Sequence, residues 1–262
     1  MTPVLDIRAL TMDFGGLRAI DSIDLCVHPG EIVALIGPNG AGKTTLFNCI
    51  TGLYQPGKGT IRLIRRDGGP FDIKGLKPNV VTAHGIARTF QNIRLFGNMT
   101  VLENVMIGRH CRMHAGIAGA ILRNKRTRRE EAAAVQESYS LLERFDLAHH
   151  VNEFAKNLPY GAQRRLEIAR AMATEPVLLL LDEPAAGMNA QETDALDEMI
   201  VRLRNEEGVA ILLIEHDMRL VMSLSDRVYV VDHGKRIAEG TPREVSRDPA
   251  VIKAYLGETD EG

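Results

Sequence analysis

The chain has 262 residues, 45% hydrophobic and 25% charged, a globular composition in which no apolar run approaches the roughly 18 residues of a membrane span. With 32 basic against 34 acidic side chains it carries no electrostatic footprint for nucleic acid, so no nucleic-acid partner is expected. Cys26, Cys49 and Cys111 are an odd number, widely spaced with no C-x-x-C, which indicates neither a disulfide framework nor a zinc site and predicts small core residues, and the first residues show no signal-peptide pattern, so cytosolic residence is expected.

From the N-terminus, residues 4–14, 19–27 and 60–64 read as strands separated by Gly-Gly and Pro-Gly turns, and predict an antiparallel layer. Residues 32–36 form an unbroken aliphatic run, the pattern of a strand buried on both faces of a parallel sheet, and helix-like sequence with Leu46, Phe47 and Ile50 follows. Between Thr100 and Ala173 the strand signal vanishes. Residues 115–122 are small and apolar and read as a loop or helix buried within a helical lobe, with a contact surface as the alternative. The basic run 123–129 reads as a solvated helix start that could face phosphates or lipid headgroups. Thr127 and Glu130 fit a capping box opening a helix with Val135, Tyr139, Leu142 and Phe145 inward. Residues 177–181 and 209–214 repeat the buried-strand pattern. Between them, residues 190–207 predict a helix with Leu196, Met199, Ile200 and Leu203 inward, Asn189 as N-cap and Gly208 as stop. The expected fold is α/β: a phosphate-loop core with a mostly parallel sheet, an antiparallel β layer and an inserted helical lobe. Residues 1–91 and 174–262 are assigned to the core and 92–173 to the lobe.

Gly37, Pro38, Asn39, Gly40, Ala41, Gly42, Lys43, Thr44 and Thr45 match G-x-x-x-x-G-K-[ST], directly after a buried strand and before a helix. Glycines let such a loop curl its N–H groups around a phosphate, Lys43 reaches the outer phosphates, and Thr44 offers a hydroxyl to Mg²⁺. Asp182 and Glu183 end another buried strand, where ligands bind in open α/β sheets. Asp182 suits Mg²⁺ coordination at one remove, and Glu183 suits orientation and deprotonation of an attacking water. His216, after a third buried strand, could reach the γ-phosphate or that water.

These residues, in this order, resemble the ATP-binding-cassette (ABC) ATPases over nearly the whole chain. The resemblance implies that Phe14 stacks on adenine, that Gln91 in Thr89-Phe90-Gln91-Asn92 touches Mg²⁺ and links core to lobe, and that residues 185–189 form a dimer-contact loop. It further implies that two cassettes sandwich two ATP molecules, each held by one chain's phosphate loop and the other's signature loop. Here that loop is Leu158, Pro159, Tyr160, Gly161, Ala162 and Gln163. It departs from the family's Leu-Ser-Gly-Gly-Gln, because Pro159 supplies neither the serine hydroxyl nor an N–H. With residues 94–104, 211–218 and 251–257, this variant is similar to ATPase subunits of bacterial branched-chain amino acid importers. That implies hydrolysis of MgATP coupled to two membrane permeases, a second cassette ATPase in a homodimer or heterodimer, and a periplasmic solute-binding protein, with this chain peripheral on the inner membrane face. The coupling surface is expected in the groove after Gln91, around Ile93, Leu95, Phe96 and Met99. The alternatives are a lipopolysaccharide-export-type ATPase, a soluble cassette ATPase of DNA repair or the ribosome, and a small phosphate-loop kinase.

Overall fold

The computed structural model describes residues 2–64, 68–112 and 125–256. Residues 115–122, and 123–124 of the basic run, lie outside them. Strands β1 (Leu5–Phe14), β2 (Leu17–Val27), β4 (Lys58–Ile64) and β5 (Pro70–Asp72) form an antiparallel sheet in the order β2-β1-β4-β5. A second sheet joins β3 (Ile32–Ile36), β6 (Ile86–Arg88), β7 (Leu178–Asp182), β8 (Ala210–Ile214), β9 (Arg227–Asp232) and β10 (Lys235–Gly240) in the order β10-β9-β3-β8-β7-β6. All its pairings are parallel except β9–β10. Every residue of β3, β7 and β8 is buried, which is why those strands read as unbroken apolar runs.

Alternation within β3 divides the core. Ile32, Ala34 and Ile36 face one cluster with the helices, while Val33 and Leu35 face another shared with the antiparallel sheet and α1 (Lys43–Ile50). The first cluster is built from α3 (Val101–Arg109), α4 (Lys125–Arg144), α5 (Tyr160–Met172), α6 (Ala190–Glu207) and α7 (Met218–Leu224). A shorter helix, α2 (Pro78–Ala83), precedes β6, and α8 (Pro242–Val245) and α9 (Pro249–Leu256) follow β10.

Helix α6 has the predicted bounds and buried face, with an Asn189–Glu192 capping box and Gly208 left-handed at φ 66°. Helix α4 differs from expectation. Its described part already includes Lys125 and Arg126, so Thr127 lies within the helix and does not cap it. Among its described side chains Ala134, Ser138, Leu141 and Leu142 are buried, as is Phe145 just past its end, so Leu142 and Phe145 lie inward as expected while Val135 and Tyr139 are exposed. The N-terminal part of the face lies one residue away from the apolar pattern, because the small Ala134 and Ser138 are buried where Val135 and Tyr139 are expected. Of the cysteines, Cys49 is a core residue, but Cys26 is half-buried and Cys111 exposed. Cys111 sits in a short 3-10 turn after α3 with no buried residue.

Candidate functional site

The phosphate loop leaves the C-terminal end of β3 and enters α1 at Lys43. Two glycines are dictated by geometry. Gly37 has φ 151°, and a Cβ there would fall 2.0 Å from the Val231 carbonyl oxygen; Gly42, at φ 104°, would bring one to 2.7 Å from the Ala19 carbonyl oxygen. The loop therefore lies directly on β9 and β2, and Gly234 N–H donates to the Ala41 carbonyl at 3.0 Å. Lys43 Nζ donates to the Gly37 and Pro38 carbonyls at 2.6 and 2.8 Å, holding the ammonium across the loop.

Neighbouring strands deliver the other groups. In the sheet order β3-β8-β7-β6, the C-terminal ends carry in turn the phosphate loop, His216, Asp182 with Glu183, and Gln91. Parallel strands put all four at one edge, the ligand edge of an open α/β sheet. Glu183 Oε2 accepts from Gln91 Nε2 at 2.7 Å and lies 3.9 Å from Nδ1 of His216, whose side chain is 67% exposed. Glu183 also has φ 46°, a left-handed backbone that a glutamate adopts at a cost of about 1–2 kcal/mol.

Several groups here were not foreseen. Arg88, at the end of β6, pairs with Asp182 Oδ2 at 2.7 Å and donates to Asn48 Oδ1 of α1 at 2.7 Å, both members of the ion pair being almost fully buried. It ties the acid to the helix behind the phosphate loop. Glu215, buried at the end of β8, accepts from the backbone N–H of Ala185 (3.3 Å) and His216 (3.1 Å), and so joins the loop after Glu183 to the one bearing His216. Burial raises its carboxyl pKa, and the same N–H donors oppose the rise. The only sequence signal for Arg88 and Glu215 is a charge at the end of an apolar strand.

Phe14 ends β1, is 42% exposed, and packs edge-on against Tyr54 at 5.1 Å between ring centres. The Leu158–Gln163 segment stands apart from the phosphate loop on the course of the chain and forms the start of α5, with Pro159 as N-cap and Gln163 Nε2 donating to the Leu158 carbonyl at 2.8 Å. It is seated on the loop after Glu183. Tyr160 donates its hydroxyl hydrogen to the Ala186 carbonyl at 2.7 Å, and a Cβ on Gly161 would meet Glu192 Oε1 at 2.8 Å. Ala162 is buried beneath it. Beyond Gln91, Leu95 packs on the core while Phe96 stays exposed under the guanidinium of Arg170, 5.5 Å from the ring centre.

A phosphate loop, an acid pair and a histidine aligned on one edge of a parallel sheet, beside an antiparallel layer, define a nucleotide-hydrolysing cassette. The chain belongs to the ABC transporter family, whose profile matches residues 20–186, and a family described as branched-chain amino acid ATP-binding cassette transporter matches residues 235–261. It is 50% identical to the high-affinity branched-chain amino acid transport ATP-binding protein LivG of Escherichia coli (strain K12) and 48% identical to BraF, of the same description, from Pseudomonas aeruginosa. Each match covers 98% of both chains. Among solved structures, a nucleotide-free ATP-binding cassette from an ABC transporter superposes with a TM-score of 0.82 at 31% identity, over 97% of this chain and 99% of that one. The ADP conformation of MJ1267, an ATP-binding cassette of an ABC transporter, gives 0.82 at 30%, over 98% and 100%. The chain is thus a nucleotide-binding ATPase subunit of a transporter. Among the described residues no helix is long and apolar enough to cross a membrane.

Proposed function

We propose that this chain is an ATP-hydrolysing subunit of an importer for branched-chain amino acids. The relatives' described role and the match over residues 235–261 support the cargo. The observation that carries the chemistry is the placing of Glu183 Oε2 between Gln91 and His216 at the sheet edge that bears the phosphate loop. In this reading the loop's N–H groups and Lys43 hold the outer phosphates, Phe14 lies against adenine, Glu183 takes a proton from the attacking water, and His216 orients that water or the γ-phosphate. Lys43 must exchange its two carbonyl acceptors for phosphate oxygens as nucleotide enters.

The donor set fits Mg²⁺, a hard cation bound by a few protein oxygens together with substrate phosphates and water. Thr44 offers a hydroxyl, Gln91 an amide oxygen, and Asp182 a carboxylate whose orientation Arg88 fixes. Among the described residues no cluster of three or more His, Cys, Asp or Glu could hold an ion without such phosphates. The metal would neutralise charge on the outer phosphates when bound with ATP.

Two cassettes closing on two ATP molecules would place the Leu158–Gln163 loop of each against the other's nucleotide. The cleft lined by Arg94, Phe96, Ile107 and Arg170 would receive the permeases, with residues 92–173 moving as the helical lobe on the core. A heterodimer with a second cassette, a periplasmic solute-binding protein and a position on the cytoplasmic membrane face complete the proposal. The test is Glu183→Gln. Nucleotide binding should persist while transport-coupled hydrolysis falls at least the ~10²-fold typical of a lost general base. Turnover that survived in the assembled transporter would transfer the role to another group, His216 first.

A further inference from the structure

Helix α5 carries two charges where a core helix would carry apolar side chains. Arg164 is 0% exposed and Glu167 is 1% exposed, among buried Leu166, Ile168 and Ala169. Burying an ion pair gains little stability against well-packed apolar residues of the same volume, so what the pair touches matters more than the pair itself. It touches the backbone on both sides of Gln91. Arg164 Nη1 donates to the Phe90 carbonyl at 2.7 Å and to Glu167 Oε2 at 3.0 Å, and Nη2 donates to the Gln91 carbonyl at 2.9 Å. Glu167 Oε1 accepts from the Phe90 and Arg94 N–H groups at 3.4 and 3.1 Å.

The helix that holds this loop is the one whose first turn is the Leu158–Gln163 segment. Arg164 Nη2 also reaches the Tyr160 hydroxyl at 3.3 Å, one turn back, and that hydroxyl donates to Ala186. An unbroken series of contacts thus runs from the start of α5 through Arg164 and Glu167 to the backbone of residues 90–94, and through Gln91 Nε2 to Glu183. Arg88 and Arg94 lie against the Phe90 ring at 5.2 and 4.4 Å from its centre, so the segment between β6 and Arg94 has little freedom to absorb a shift of α5 locally.

We propose that the Arg164–Glu167 pair is a positioning element that makes the seat of Gln91 against Glu183 follow the seat of α5. This chain then hydrolyses its own ATP at full rate only when its Leu158–Gln163 loop is engaged by the partner cassette's nucleotide. The proposal rests on the reading of Gln91 and Glu183 given above and adds the residues that link the two ATP sites through one chain.

The test compares Arg164→Met/Glu167→Met with Glu167→Gln and the unaltered chain in the assembled transporter. Apolar replacement of both charges should keep the melting temperature within a few degrees and the KM for ATP within about twofold, while kcat falls about tenfold or more. Hydrogen exchange over residues 90–94 supplies a readout that does not depend on turnover. In a Glu183→Gln background, ATP should slow exchange there, and both sets of variants should lose that slowing. If the double variant does not fold, loss of the slowing in Glu167→Gln supports the proposal, and retention of it overturns the proposal. Wild-type kcat with unchanged exchange in the variants, alongside a Gln91→Ala control that loses turnover, overturns the linkage alone. Turnover that survives Gln91→Ala overturns the reading of the Gln91–Glu183 contact instead.

Discussion

At the scale of single residues, Lys43 spans the phosphate loop through its bonds to the Gly37 and Pro38 carbonyls. The loop from Gly37 to Thr45 declares itself because its glycines, lysine and threonine are needed at fixed offsets from one phosphate. Gly37 adds a second constraint, contact with the Val231 carbonyl, that no local pattern contains. Arg88 and Glu215 work through partners 94 and 30 residues away, Asp182 and Ala185, so nothing adjacent in sequence points to them. Lys43 gives the sharpest prediction at this scale. Lys43→Ala leaves the backbone cradle but removes the charge facing the outer phosphates, so affinity for MgATP should fall below detection in a nucleotide titration. Undiminished affinity would remove the phosphate-loop assignment.

Among the elements, β3, β7, β8 and α6 were legible because burial on both strand faces, or a helix cap and a left-handed glycine, leave marks in the residues themselves. The strands β6 and β9 were not, the first having three residues and the second being bounded by Arg227 and Asp232. Helix α4 misled because close helix packing selects small residues. Ala134 and Ser138 are buried there, while the larger Val135 and Tyr139 are not. Similar closeness recurs where α3 meets α5, since a Cβ on Gly108 would lie 2.3 Å from the Arg170 carbonyl oxygen. Helix α6 makes stability depend on pH through Asp197. Burial, with Asp194, Glu215 and Asp217 nearby, pushes the Asp197 carboxyl up to about 6, opposed by a hydrogen bond from Ser223; Arg219 is the cation lining the same cavity. A carboxyl raised on folding favours the fold below its unfolded value near ~4, and that contribution is lost as pH rises through about 6. Asp197→Asn should therefore raise stability at pH 8 by about 1 kcal/mol, after discounting for partial exposure, or about 2–4 °C in Tm. Thermal unfolding at pH 4 and pH 8 checks it, and an equal gain at both would contradict the assignment.

For the whole molecule, the start of α5 is the segment that the proposed sandwich sets against the partner's nucleotide. Pro159 has no hydroxyl, and in this chain the Tyr160 hydroxyl hydrogen goes to the Ala186 carbonyl. If the partner cassette carries the family's serine, the ATP held by this chain faces the fuller set of donors and should be the faster hydrolysed. A single hydroxyl donor is worth about 1–3 kcal/mol, or about tenfold or more in rate. Disabling Glu183 alone should then cost the assembled transporter more ATPase than disabling the partner's equivalent glutamate, and equal losses would refute the asymmetry. The same region bears on how such subunits diverge. Tyr160 is bonded to Ala186, Gly161 is pressed on Glu192, and a Cβ on Gly187 would sit 3.4 Å from the Tyr160 hydroxyl, so two stretches more than twenty residues apart make one surface. A chimera that grafts residues 158–163 from a sister cassette without residues 186–192 would inherit half a mould. In gene duplicates that come to recognise different partners, a larger side chain at Gly161 or Gly187 would have to be answered at Glu192 or Tyr160.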